Sequence, residues 1–368
     1  MKKNKITYKS SGVNYSVIDP LKIIAQKQAQ VTARKFQEPF LTPYEKSRGE
    51  SAYLMEYKDC YIATVIECLG TKNLIAEEMR KITGKTYYDS IAQDAVAMIV
   101  NDLITTGAQP FVVNAYWSVG NSDWFSDSDR MKDLTKGWAD ACMKSGAVWG
   151  GGETPTLSGI NMENTINLAG SGVGIIKPKQ KLVDADNLQE NDAIILLESS
   201  GVHANGISLT RKLAKKLKKG YKTKLPSNRM YGEALLTPTT LYVECIKKLL
   251  EMVKIHYLVN ITGHGFKKLM RAKPKFSYII TSLSKTPEVF TFIQNNSGLL
   301  DKEMYETFNM GAGFAVYVSK NDVKKVITIA KSCKIRAWEA GFIKSGKKQV
   351  EIKPRNIIFE SDSLKVRL

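Results

Sequence analysis

Cysteine is scarce in this chain and nowhere paired. The five cysteines, Cys60, Cys68, Cys142, Cys245 and Cys333, are odd in number and none forms a Cys-x-x-Cys spacing. That excludes a disulfide framework and a zinc knuckle, and leaves reduced thiols. Histidine is rarer still, at three residues. With no Gly-x-Ser-x-Gly elbow in the chain, a Ser-His-Asp triad is not supported. Long apolar runs are missing too; even the stretch 95–100 is far short of a bilayer span. The basic start, Met-Lys-Lys-Asn-Lys, runs into polar residues where a signal peptide needs an apolar core. The expectation is a cytoplasmic protein with no membrane association. No repeat, low-complexity tract or coiled-coil heptad is evident.

Positive charge is abundant, with a formal net charge of +18. Such a balance attracts anions, either nucleic acid or small phosphorylated molecules. The lysines gather at 211–224 and 344–348 but also occur singly throughout, and aromatics do not interleave with them as a single-strand stacking platform requires. A lysine-rich solvated surface is therefore preferred to a nucleic-acid groove, and it remains compatible with steering phosphate-bearing substrates.

At 368 residues, 43% of them hydrophobic and 24% charged, the chain is globular and too long for one ordinary core. A seam at Lys177-Pro178-Lys179 divides it into expected domains 1–177 and 178–368. In the first, strands are predicted at 60–67, 109–117, 147–149 and 166–176, and helices at 73–81, 90–104 and 128–145. In the second, strands are predicted at 192–198, 278–281 and 313–318, and helices at 207–219, 239–252 and 321–332. Alternation of this kind points to α/β or α+β domains.

The helix 90–104 is apolar on almost every side and hence buried. Asp94 and Asn101 lie seven residues apart on one edge, with Asp102 beside Asn101. Buried carboxylates need a partner or a metal, and oxygen ligands of this type suit Mg²⁺ shared with nucleotide phosphates. The competing reading makes Asp94 a helix cap and Asp102 a salt-bridge partner. Gly150-Gly151-Gly152-Glu153 ends a strand with a turn whose N–H groups can approach an anion beside a carboxylate. Glu67-Cys68-Leu69-Gly70-Thr71-Lys72 joins a strand to a helix with Lys72 near its start, a phosphate-compatible arrangement without Walker A spacing. Residues 199–206, from Ser199 to Gly206, place His203 between a strand and a basic helix. A lone histidine there is more often structural than catalytic.

Taken in order, Tyr8-Lys-Ser-Ser-Gly-Val13, Leu69-Gly-Thr-Lys72, Gln93-Asp-Ala-Val-Ala-Met98, Val100-Asn-Asp-Leu103, Gly151-Gly-Glu-Thr154, the 199–209 loop, Thr262-Gly-His-Gly-Phe266 and Phe308-Asn-Met-Gly-Ala-Gly313 resemble the aminoimidazole ribonucleotide synthetases, the phosphoribosylformylglycinamidine cyclo-ligases. The resemblance runs from about residue 8 to 352. It implies a two-domain α/β (α+β) fold whose N-terminal sheets form a dimer barrel, with ATP and Mg²⁺ held mainly by the N-terminal half. The implied reaction is ATP-dependent cyclisation of formylglycinamidine ribonucleotide, with ADP and phosphate released. By phosphorylating the amide oxygen, such an enzyme lets the amidine nitrogen attack and phosphate leave, so catalysis is largely positioning and charge neutralisation.

Carried over by position, the resemblance implies nucleotide binding by Glu67, Gly70, Thr71, Lys72, Asp94, Asn101, Asp102, Gly151, Gly152 and Glu153. It implies metal ligation by Glu67, Asp94, Asp102 and Glu153, a phosphoribosyl substrate at Ser200, Gly201, His203, Asn205 and Gly206, and catalysis by His203, Lys72 and Asp94. On that reading Asp94→Asn abolishes turnover and leaves the fold intact. Three segments depart from the pattern: Glu67-Cys68 where the family reads Asp-Gly, Asn14 where it often has Asp, and His264 within its Thr-Gly-Gly-Gly run. Two alternatives follow, a relative that activates a different small acceptor and a non-catalytic basic binding protein on the same scaffold.

Overall fold

The computed structural model describes residues 9–364, so Tyr8, the basic start and the last four residues lie outside the described residues. The first half opens with a long helix, α1 (Tyr15–Lys35). It continues through β1 (Leu41–Pro43), β2 (Tyr53–Tyr57), β3 (Cys60–Cys68), α2 (Asn73–Thr83), α3 (Tyr88–Leu103), β4 (Gln109–Val119), α4 (Ser128–Lys144), β5 (Val148–Glu153) and β6 (Ile166–Ile176). The second half runs β7 (Ala193–Glu198), α5 (Ile207–Lys216), α6 (Tyr231–Leu235), α7 (Val243–Met252), β8 (Ile255–Asn260), β9 (Phe276–Ile280), α8 (Glu288–Ser297) and α9 (Asp301–Thr307). It closes with β10 (Ala312–Val318), α10 (Val323–Ser332), β11 (Ala337–Ser345), β12 (Gln349–Ile352) and β13 (Ile357–Glu360).

These strands build two mixed sheets, one in each half. The first has the order β1-β2-β3-β6-β4-β5, antiparallel except for the β4–β5 pair. The second has the order β13-β12-β9-β11-β7-β10-β8, antiparallel except where β12 runs beside β9. The fold is the expected α/β (α+β) one, and no helix among the described residues is long and apolar enough to cross a membrane.

In the first sheet one face is covered and the other is open. Along β3, Ala63, Val65 and Glu67 face α3 while Thr64 and Ile66 point the opposite way, as strand alternation requires. Helix α3 lies close on β6 because Gly172 has no side chain; a Cβ there would sit 2.4 Å from Ile99 Cγ2 and 2.9 Å from Leu103 Cδ1. The second sheet is dry on both faces toward its β8 edge, where β7, β10 and β8 are buried almost throughout.

Several elements differ from the sequence expectation. The helix expected over 239–252 starts only at Val243. The preceding residues run past α3 and give their backbone groups to it. Helix α5 ends at Lys216 rather than 219. Helix α1, strands β8 and β11 to β13, and helices α8 and α9 carried no sequence expectation.

Candidate functional site

Two polar clusters border α3, one sealed and one open. The sealed cluster lies where α3 meets the segment 237–242 of the second half. Lys72 Nζ is 2.7 Å from Asp94 Oδ2, and neither side chain has any exposure. Asp94 Oδ1 accepts from the Thr239 N–H at 2.8 Å and from its hydroxyl at 2.5 Å. Lys72 also donates to the Thr237 carbonyl at 3.0 Å. Burial pushes the Asp94 carboxyl up and the Lys72 ammonium down, and each is opposed by the charge of the other. One edge of α3 continues the theme: Gln93 donates to the Thr239 carbonyl, while Asn101 donates to the Thr240 carbonyl and accepts from the Tyr242 N–H.

The open cluster is a cleft of about 460 Å³ beneath α1. Its floor holds Glu67 from β3 and Asp102 from α3, with Lys268 and Arg271 on one wall and Lys22 of α1 above. Asp102 is buried and accepts from Asn260 Nδ2 at 2.7 Å. Burial, and then the charge of Asp102, push the Glu67 carboxyl up to about 7. Lys268 is held down to about 8, chiefly by burial, with the Asp102 carboxylate pulling the other way, and its ammonium donates to Thr262 Oγ1.

The expected site residues are thus divided. Glu67 and Asp102 come together. Asp94 faces the sealed seam and has its charge matched by Lys72, so the structure gives it a partner rather than a metal-facing position. Lys72 and Asn101 are likewise engaged between the two halves. Glu153 stands exposed at the end of β5, after Gly151 and Gly152. Among the described residues no three His, Cys, Asp or Glu side chains are grouped to hold a metal, so the expected four-carboxylate set is not assembled within one chain. The physical reason lies in periodicity: Asp94 and Asp102 share a helix but look toward different neighbours.

The loop after β7 is tightly knit. His203 is buried, and its Nε2 accepts from the Ser200 N–H at 3.3 Å. Burial, then the neighbouring Lys72 charge, lower its pKa to about 3, which favours the neutral ring. Ser200 Oγ donates to the Pro238 carbonyl at 2.5 Å. Asn309 ties the loop down by donating to the Gly201 carbonyl at 2.9 Å. Asn205, just ahead of Gly206 and α5, reaches the cleft wall and leaves its buried Nδ2 without a hydrogen-bond partner. Gly70 is exposed and Thr71 half-buried in the turn after β3.

Lys22, Gln26, Lys268 and Arg271 also line the cleft and were not singled out from the sequence. The available signal was the run Phe266-Lys-Lys-Leu-Met-Arg271, cationic and directly after the Thr-Gly-His-Gly motif.

The donor set suits a hard divalent cation and a polyphosphate. Burial first, and then the charge of Asp102, disfavour the ionised Glu67 carboxylate, a cost that a bound cation would offset, and Mg²⁺ is ordinarily held by one or two carboxylates plus phosphate oxygens. The adjoining lysines and arginine match the phosphates.

The family model described as AIR synthase related protein, N-terminal domain, matches residues 49–176, and the corresponding C-terminal domain model matches residues 189–353. A phosphoribosylformylglycinamidine cyclo-ligase of Methanococcus maripaludis strain C7 is 32% identical over 363 residues, covering 98% of this chain and 99% of its own. That of Caldicellulosiruptor bescii is 34% identical over 360 residues, covering 94% and 99%. Among solved structures, a chain of a HypE–HypF complex superposes with a TM-score of 0.61 at 18% identity, covering 91% of this chain and 98% of that one. AaThiL complexed with AMPPCP and TMP superposes with a TM-score of 0.58 at 16% identity, covering 84% and 89%. At such identities the two structures share the fold.

Proposed function

Because the chain belongs to the AIR synthase related protein family, with both halves matched, we propose that it acts as a phosphoribosylformylglycinamidine cyclo-ligase through the cleft beneath α1. It is an enzyme of purine biosynthesis, and it uses ATP to close the ring of formylglycinamidine ribonucleotide, releasing ADP and phosphate. The observation that carries the site assignment is the meeting of Glu67 and Asp102 under Lys22, Lys268 and Arg271.

Glu67 and Asp102 would hold Mg²⁺, which when bound neutralises phosphate charge. Lys22, Lys268 and Arg271 meet the anionic oxygens in a cleft partly screened from water, where such contacts are stronger than in bulk solvent. Asn205, with an unpartnered donor at the cleft wall, is placed to orient the phosphoribosyl substrate, and Gly70 and Thr71 border the nucleotide from the β3 turn. His203, Ser200 and Gly201 hold the loop that carries Asn205. Lys72, Asp94 and Asn101 lock the two halves and so fix the spacing between cleft walls. The halves act as two domains meeting at residues 177 and 178, the first binding ATP and the second contributing to the substrate side.

A homodimer completes this reading. The sheet face turned away from α3 leaves Ile66 at 80% and Val148 at 66% exposure, an apolar surface suited to a second copy. Glu153, on the edge strand β5, lies beside that face and would reach toward the partner. A cytoplasmic location accords with the metabolic role.

Incubating the pure chain with formylglycinamidine ribonucleotide, ATP and Mg²⁺ should release ADP and aminoimidazole ribonucleotide together. ADP release that ignores the ribonucleotide, or that follows another acceptor, would overturn the assignment.

A further inference from the structure

Helix α1 spans 21 residues, yet Asp19 is its one buried residue among those described. A helix that buries so little is not held by a hydrophobic face, and its placement over the cleft must rest on a few specific contacts. The best defined of these gather on His264. The imidazole stacks on the Tyr15 ring with centroids 3.7 Å apart and planes 26° from parallel. His264 Nε2 is buried, has no hydrogen-bond partner, and lies 3.6 Å from Asp19 Oδ1. Lys22 Nζ reaches the same carboxylate oxygen at 3.3 Å and sits 5.8 Å from the Tyr15 ring centre.

The backbone at this point indicates that the ring is there for its contacts. His264 has φ of +68°, a left-handed conformation that glycine adopts freely and that residues bearing a Cβ adopt at a cost. Its neighbour Gly263 is crowded by the helix, since a Cβ there would lie 2.6 Å from Tyr15 Oη. The gap from Nε2 to Asp19 exceeds hydrogen-bond reach by a few tenths of an ångström, so a small inward movement of α1 would pair the buried nitrogen.

We propose that His264 is the positioning residue that seats α1 over the cleft, by stacking on Tyr15 and facing Asp19, and thereby sets how firmly the cleft holds a magnesium-bound nucleoside triphosphate. This rests on the cleft assignment made above. Seated, α1 brings Lys22 and Gln26 into the wall opposite Lys268 and Arg271. Unseated, it removes one wall and one cation. Affinity for the ligand then falls in proportion to the seated fraction, while turnover from the seated state is unchanged.

The test uses the full chain and three variants, His264→Gly, His264→Phe and Tyr15→Ala. Glycine suits the backbone at 264, and phenylalanine keeps the stack while losing the nitrogen. Amide hydrogen exchange across residues 15–35 is measured without ligand, and KM for MgATP and kcat are measured with saturating ribonucleotide. Exchange in α1 should rise by about tenfold in His264→Gly and Tyr15→Ala. KM should rise by about the same factor, with kcat within about twofold of the parent. His264→Phe should fall between parent and glycine variant in both. Unchanged α1 exchange in His264→Gly, or faster exchange with an unchanged KM, would overturn the proposal. If MgATP fails to protect residues 262–271 of the parent chain, the cleft assignment falls instead, and α1 exchange in His264→Gly still decides whether this residue seats the helix.

Discussion

Lys72 and Asp94 show how far a residue's role depends on what lies opposite it. Each is fully buried, and each satisfies the other across the seam. Removing one charge from such a pair strands its partner in a low-dielectric site. Asp94→Asn should therefore destabilise the chain by about 3–5 kcal/mol. Urea denaturation would measure this, and adding Lys72→Met should recover much of the loss because no uncompensated charge remains. This replaces the sequence expectation that the variant leaves the fold intact.

Glu67 presents the opposite case, a carboxyl kept in an uncomfortable setting. Its pKa in the fold is about 7 against an ordinary 4.5, so the ionised form is the one the fold disfavours. The stability associated with its protonated form is complete below the lower value and is lost as pH rises through the upper one. Glu67→Gln carries no charge at any pH and escapes that loss. Its melting temperature without ligand should exceed the parent's by a margin that widens between about pH 5 and about pH 8, reaching about 2 °C or more by calorimetry. Turnover should nevertheless collapse if Glu67 holds the metal as proposed, since the variant exchanges that carboxylate for an amide. A variant that melts with the parent at every pH would show that Glu67 is not held against Asp102 as described.

At the scale of elements, α3 is the organising piece. Its apolar residues were legible because burial on every side follows from composition alone. Its polar edge was legible as costly, and therefore paired or metal-bound. Which of the two applied at Asp94 was not, because the deciding partner is 22 residues away in a different element, at Lys72, with further contacts at 237–242. Close approach to β6 should make this packing sensitive to volume. Gly172→Val pushes its side chain into Ile99 and Leu103, and should cost about 1–3 kcal/mol by urea midpoint. Helix α1 escaped sequence analysis for a related reason. Its apolar residues Val17, Leu21 and Ile24 recur at helical spacing but face outward, while the inward face carries Asp19 and contains little to mark it. Pro20 within the first two turns further weakens the signal.

For the whole molecule, the open face of the first sheet makes a prediction about assembly. Ile66→Lys places a charge in the centre of the proposed contact between copies. Sedimentation should show the parent at twice the 41.1 kDa chain mass and the variant at the single-chain mass. A parent that sediments as one chain would remove the dimer from the reading. The net charge of +18 belongs to this scale as well: spread over the surface it would steer the anionic substrates of the proposed reaction by long-range attraction, and at the cleft Lys22, Lys268 and Arg271 carry it.

The amino-acid sequence by itself determined the class of fold, most of the strands and helices around the site, and the motif order that marks the family. Periodicity and turn chemistry act over a few residues, and those are what a sequence displays directly. Tertiary structure alone decided which carboxylates meet. It turned Asp94 toward a lysine and Asp102 toward Glu67, took His203 into the packing of its loop, and laid α1 across the cleft. Those outcomes depend on contacts between segments distant in the chain, where the energy of a buried charge is set by whichever neighbour the fold delivers.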